Sequence, residues 1–173
     1  MSLRPLRIVV LGVAASGKST VGEAIAQRFG VRYVEADAFH VESSVAKMTA
    51  GIPLTDGDRW PWLERLQREL VDAPVVVSCS GLRKAYRDVL RHAGGVHFIF
   101  LDVPRDEIER RIRQRAGHFM GPAMVEGQFA TLEQPGSEEP DVTTIDGCGP
   151  LDEIIERAVK AALNVPMPPL APA

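Results

Sequence analysis

The chain holds only two cysteines, Cys79 and Cys148, in 173 residues. They are far apart in sequence and form neither a C-x-x-C pair nor a metal-ligand spacing, so a disulfide framework and a cysteine metal site are both excluded. Two reduced thiols of a cytoplasmic protein are expected. No apolar run approaches the roughly 20 residues that cross a bilayer, and no apolar leader opens the chain, so neither a membrane span nor a signal peptide is expected. Excess positive charge is also lacking: the net charge is −3, which argues against a nucleic-acid partner. There is no internal repeat and no linker. The expectation is one domain over 1–165, followed by a loose tail at 166–173 in which Pro166, Pro168, Pro169 and Pro172 forbid a helix.

What is present is an alternation of strand-like and helix-like segments. "LRIVVL" (6–11), "VRYVEA" (31–36), "PVVVSCS" (74–80), "VHFIFLDV" (96–103) and "DVTTID" (141–146) read as strands. Helices are predicted over 18–29, 41–51, 58–72, 83–93, 105–116 and 151–163. In the third of these, Trp62, Leu63, Leu66 and Leu70 fall on one side. Such alternation indicates βαβ units and a parallel sheet covered on both faces, an α/β fold. Ligands in these sheets bind beyond the carboxyl ends of the strands. That rule points to 12–19, 35–40, 78–84, 104–115 and 146–150.

The first of these stretches is "GVAASGKST". Gly12-x-x-x-x-Gly17-Lys18-Ser19, placed after a strand and opening a helix, is the P-loop pattern in its expected context. The glycines let the backbone curl so that the N–H groups of Gly12, Val13, Ala14, Ala15, Ser16, Gly17, Lys18, Ser19 and Thr20 surround a nucleotide's phosphates, aided by the positive end of the helix. Lys18 would reach the β- and γ-phosphates and Ser19 would hold Mg²⁺. After the second strand, Glu35 and Asp37 are two apart and can face one cleft. Asp37 is the candidate base that orients an acceptor hydroxyl and takes its proton, with a helix N-cap as the competing reading. Glu35 could assist the metal through water. His40 could donate to a polyol hydroxyl.

With "GVAASGKSTVG", "ADAFH", "KMTAGIPLTDGDRWPWL", "CSGLRKAYRDVLR", "GHFMGPAMVEGQFATLEQP" and "VTTID" in this order, the sequence resembles the gluconokinase family. The resemblance extends from about residue 8 to about residue 155. It implies a nucleoside-kinase-like three-layer sandwich with a five-stranded parallel sheet, a small lid over about 115–125, and a homodimer. It also implies phosphorylation of the 6-hydroxyl of D-gluconate by ATP with Mg²⁺. The chain departs from the family pattern at Glu35, Val41, Ser44 and Gly81. Val41 and Ser44 stand in the stretch after His40, which should border the sugar-acid pocket.

Gluconate is a polyol with one carboxylate, and arginine's planar fork suits that group. Arg59, Arg83 and Arg87 are the candidates, the last two being four apart and so on one helix face. Lys84 reads as surface, and Trp60 and Trp62 as packing residues with Pro61 marking a helix start or kink. In "RDEIERRIRQRAGHF", Arg111 and Arg115 can face the nucleotide; Arg115, beside Gly117, is the first choice for closing over the phosphates, and His118 is a substrate candidate. Two other functions fit less of the sequence: a related kinase with another polyol, sugar acid or shikimate as acceptor, and a nucleotide-binding regulator without turnover.

Overall fold

The computed structural model describes residues 6–115 and 121–165. Five strands, β1 (Arg7–Leu11), β2 (Arg32–Glu35), β3 (Val75–Cys79), β4 (His97–Asp102) and β5 (Val142–Asp146), form one sheet in the order β2-β3-β1-β4-β5. Every pairing is parallel. The register sets Val9 beside Val77 on one flank and Phe98 on the other. The β-branched and aromatic runs of the three central strands are buried on both faces, which is why they lack polar alternation.

Alternate side chains feed two cores, because successive residues on a strand point to opposite faces. Val9, Leu11, Val75, Val77, Phe98 and Phe100 meet Leu63, Leu66 and Leu70 of α3 (Asp56–Val71) and Leu90 of α4 (Lys84–Arg91). Ile8, Val10, Val76, Ile99 and Leu101 meet Val21 and Ile25 of α1 (Lys18–Phe29), and Ile154 and Ala158 of α7 (Leu151–Leu163). A three-layer sandwich results, as expected. A third, smaller cluster lies at the carboxyl ends of the strands. It joins Val13, Leu82 and Val103 to Ile108 of α5 (Arg105–Gln114) and Val125 of α6 (Pro122–Thr131). This cluster fixes the elements that surround the site.

Three local features differ from the expectation. α3 begins two residues before 58, because Thr55 accepts from the Asp58 N–H while the Asp58 carboxylate accepts from the Thr55 N–H, a reciprocal cap. It then runs through Pro61, which neither starts nor ends it. Residues 36–39, read as strand end and loop, form a short 3₁₀ turn. α2 (Glu42–Thr49) and α4 are each shorter than their predicted spans.

Candidate active site

The turn from β1 to α1 has the shape its sequence requires. Gly17 sits at φ 91° and Ala15 at φ 61°, so the backbone takes left-handed steps on the way into the helix. Gly12 is needed for a different reason: a Cβ there would lie 2.3 Å from Ser16 Oγ. Among the described residues, the N–H groups of Ala15, Gly17, Lys18, Ser19 and Thr20 have no protein partner. Five such donors at a helix N-terminus form a cradle for phosphate oxygens. The Ala14 N–H is different, because it donates to Gln128 Oε1 of α6 at 2.6 Å.

Glu35, the last residue of β2, reaches this turn. Its Oε2 accepts from Ser19 Oγ at 2.5 Å and from Tyr33 Oη at 2.8 Å, while Oε1 is buried without a hydrogen-bond partner. Burial pushes the Tyr33 hydroxyl up to about 12, so it stays a donor. A hydroxyl and an under-satisfied carboxylate side by side suit a hard divalent cation.

Beside the loop opens a cavity of about 540 Å³. Ala14, Lys18, Asp37, His40, Arg59 and Arg83 all line it, so six of the predicted site residues come together. The 3₁₀ turn presents Asp37 to solvent, its side chain 70% exposed. Asp37 caps no helix through its side chain. His40 is stacked on Trp62, with ring centroids 4.4 Å apart. Burial holds its pKa below the ordinary 6.5, against the opposing charge of Asp37. The neutral ring at pH 7 can donate from one nitrogen only. Trp62 packs as predicted, its Nε1 donating to the Ala36 carbonyl, and it also forms part of the cavity wall.

The two arginines share a counter-ion that sequence reasoning missed. Asp56 lies 3.4 Å from Arg83 Nη1 and 3.7 Å from Arg59 Nη1. Tyr86, buried in α4, ties the group together: its hydroxyl donates to Asp56 and accepts from Arg59. The helical spacing of Tyr86 with Leu90 marks a core face; nothing in the spacing shows that its hydroxyl reaches the cavity wall.

Arg87 is a correction. It was expected beside Arg83 on a face toward the cleft, yet its side chain is 1% exposed and does not line the cavity. Its Nε and Nη2 donate to Glu139, and its remaining donors reach the Gly81 and Glu133 carbonyls. Arg83 is the N-cap and lies outside the helix, so the four-residue spacing does not align the two. A second difference concerns the arginines of α5. Arg111 donates to the carbonyls of Ala15, Ser16 and Gly147, bracing the phosphate loop from behind. Arg115, the C-cap of α5, is exposed and lines no part of the cavity. His118 and the rest of 116–120 in the expected lid lie outside the described residues, while 122–125 form the first turn of α6. Val41 and Ser44 do not border the cavity: Val41 is exposed and Ser44 is buried. The wall beyond His40 comes from Met48, Ile52, Pro53 and Leu54 instead.

A phosphate cradle, a carboxylate and paired arginines around one cavity, on a sheet of this order, define a small-molecule P-loop kinase. The family model described as Shikimate kinase matches residues 14–140. The gluconokinase of Gluconobacter oxydans is 39% identical over 92% of this chain and 93% of its own. The thermosensitive gluconokinase of Escherichia coli is 36% identical over 91% and 87%. The crystal structure of a gluconokinase from Sinorhizobium meliloti superposes with a TM-score of 0.86 at 44% identity, covering 92% of each chain. The chain belongs to the gluconokinase family, within the shikimate-kinase group of P-loop kinases. A shikimate kinase from Aquifex aeolicus, at 15% identity and a TM-score of 0.56, shares the fold alone.

Proposed function

We propose that this chain transfers the γ-phosphoryl group of ATP to the 6-hydroxyl of gluconate. The observation that carries this reading is one cavity in which Lys18 and Asp37 meet Arg59 and Arg83. The first pair suits a phosphoryl group and a hydroxyl, and the second suits a carboxylate. The gluconokinases named above support the choice of acceptor.

The N–H groups of 15 and 17–20 hold the phosphate chain, with Arg111 keeping the loop in shape. Lys18 draws the negative charge of the transferred group. Asp37 orients the acceptor hydroxyl and takes its proton as the new P–O bond forms. His40 and the arginines fix the chain of hydroxyls and its carboxylate. Ser19 and Glu35 would hold Mg²⁺, which supplies charge neutralisation at the β- and γ-phosphates. Among the described residues no group of three or more His, Cys, Asp or Glu is placed to hold a metal ion. Arg115 is assigned to the phosphates as a further cation. A cytoplasmic homodimer completes the reading. Among the described residues no helix is long and apolar enough to cross a membrane.

The test is ADP release with and without gluconate. Turnover that depends on gluconate is expected. Nucleotide binding without turnover on any acceptor would favour a regulator.

A further inference from the structure

We propose that Gln128 is an acceptor-binding residue: the phosphate loop fixes its carboxamide, and its Nε2 donates to the 5-hydroxyl of gluconate, next to the reacting oxygen. The inference rests on the functional reading above. It begins with the bond from the Ala14 N–H to Gln128 Oε1, at 2.6 Å. An N–H can only donate, so the atom facing it must be the amide oxygen. The nitrogen is thereby turned away from the loop. Among the described residues Nε2 has no protein partner, and Gln128 lines the cavity.

The place of this contact matters. Of the phosphate-loop residues, only Ala14 and Lys18 line the cavity. They mark the border where the phosphate cradle ends and the acceptor space begins. The cradle donors at 15 and 17–20 remain for the phosphate chain, so Gln128 does not take them. Its amide therefore stands at the junction where the phosphoryl group changes hands.

The surrounding packing makes the position rigid. Val125, three residues earlier, is 3% exposed and sits in the cluster with Val13 and Val103. After α6, the Glu133 N–H donates to the Leu82 carbonyl at 2.7 Å. The cavity face of α6 comprises Ala123, Met124, Gly127, Gln128 and Thr131. Gln128 is the only amide on it. It can offer a hydrogen bond to a hydroxyl that Asp37, an acceptor when ionised, cannot. A polyol oxygen adjacent to the reacting hydroxyl is the matching group.

The test compares wild-type enzyme and Gln128→Leu on gluconate and on 5-deoxygluconate. Wild type should lose about three- to tenfold in kcat/KM on the deoxy analogue, and Gln128→Leu should lose a similar factor on gluconate, mainly in gluconate KM. The two losses should not add: Gln128→Leu should treat the two acceptors alike. Additive losses, or an unchanged gluconate KM, would overturn the assignment. A structural role alone would lower the melting temperature and spare this comparison. Gln128→Met, unbranched and without the amide, replaces the leucine variant if that one does not fold. Failure of wild type to use gluconate would instead overturn the functional reading, and this one with it.

Discussion

The Tyr86 hydroxyl donates to Asp56 Oδ1 at 2.5 Å. The Tyr86 hydroxyl oxygen in turn accepts from Arg59 Nη1 at 3.1 Å. One phenol thus links the cation and the anion of the cavity wall, and the Arg59 guanidinium also lies 5.4 Å from its ring centroid. Burial and the neighbouring Asp56 raise the phenol's pKa, so it remains a donor across the physiological range. Tyr86→Phe keeps the ring and removes the link. Gluconate KM should rise several-fold with ATP KM unchanged. The fold should lose about 0.5–1.5 kcal/mol. Steady-state kinetics in each substrate and urea denaturation measure the two effects.

Arg87 and Glu139 form a buried pair, each side chain 1% exposed. Removing Arg87 leaves Glu139 with Arg91 alone and takes the donor from the Gly81 and Glu133 carbonyls, so Arg87→Ala should cost about 3 kcal/mol, the low end for a broken buried pair. Arg87→Lys should not restore it, because a single ammonium cannot reach Glu139 and two carbonyls at once. Denaturant unfolding checks this. Hydrogen bonds from Arg87 and Arg91 hold the Glu139 carboxyl below the ordinary 4.5. Its contribution is therefore complete above pH 4.5 and is lost as pH falls through the lower, folded-state value. Stability of Glu139→Gln should fall less steeply on acidification than that of wild type.

Much of this site was legible because its chemistry lies in short local patterns. Gly12 to Ser19 form one continuous turn, and Asp37 follows directly on a strand end. The three central strands could be read from apolar runs, since burial on both faces leaves little room for polar residues. What escaped depends on distant partners. Arg87 and Glu139 are 52 residues apart, and no local period marks a buried cation. Gln128 and Ala14 are 114 apart. α6, with one buried residue, Val125, has no apolar stripe, so only the resemblance implies a helix after the lid. Arg111 and Arg115 look alike in a charged run, and only the position of Gly147 and the loop carbonyls separates them.

Lys18 donates only weakly within the protein, to the Val13 carbonyl at 3.5 Å. Its ammonium is otherwise directed to the cavity. Lys18→Ala should therefore abolish nearly all turnover and leave the melting temperature within a few degrees of wild type. Coupled ADP-release assays and thermal unfolding report the two. Unchanged turnover would remove the phosphoryl-transfer mechanism.

Asp37→Asn keeps the shape of the carboxylate and removes its charge and basicity. General-base assistance is typically worth ~10²–10⁴-fold, and a loose phosphoryl-transfer transition state places the loss toward the lower end. A fall of about 10²-fold in kcat is expected, with nucleotide affinity by calorimetry close to wild type. Wild-type kcat would make Asp37 an ordinary turn residue and shift attention to Glu35.

The most direct measurement is a comparison of kcat/KM for gluconate, glucose, glycerate and shikimate with one enzyme preparation. Gluconate should rank first. Glucose lacks the carboxylate and would leave Arg59 and Arg83 with Asp56 as their one anion, a deficit of roughly 1 kcal/mol or about 5-fold at the least. Glucose equal to gluconate would contradict the assignment of the two arginines, and a preference for shikimate would contradict gluconate as the acceptor.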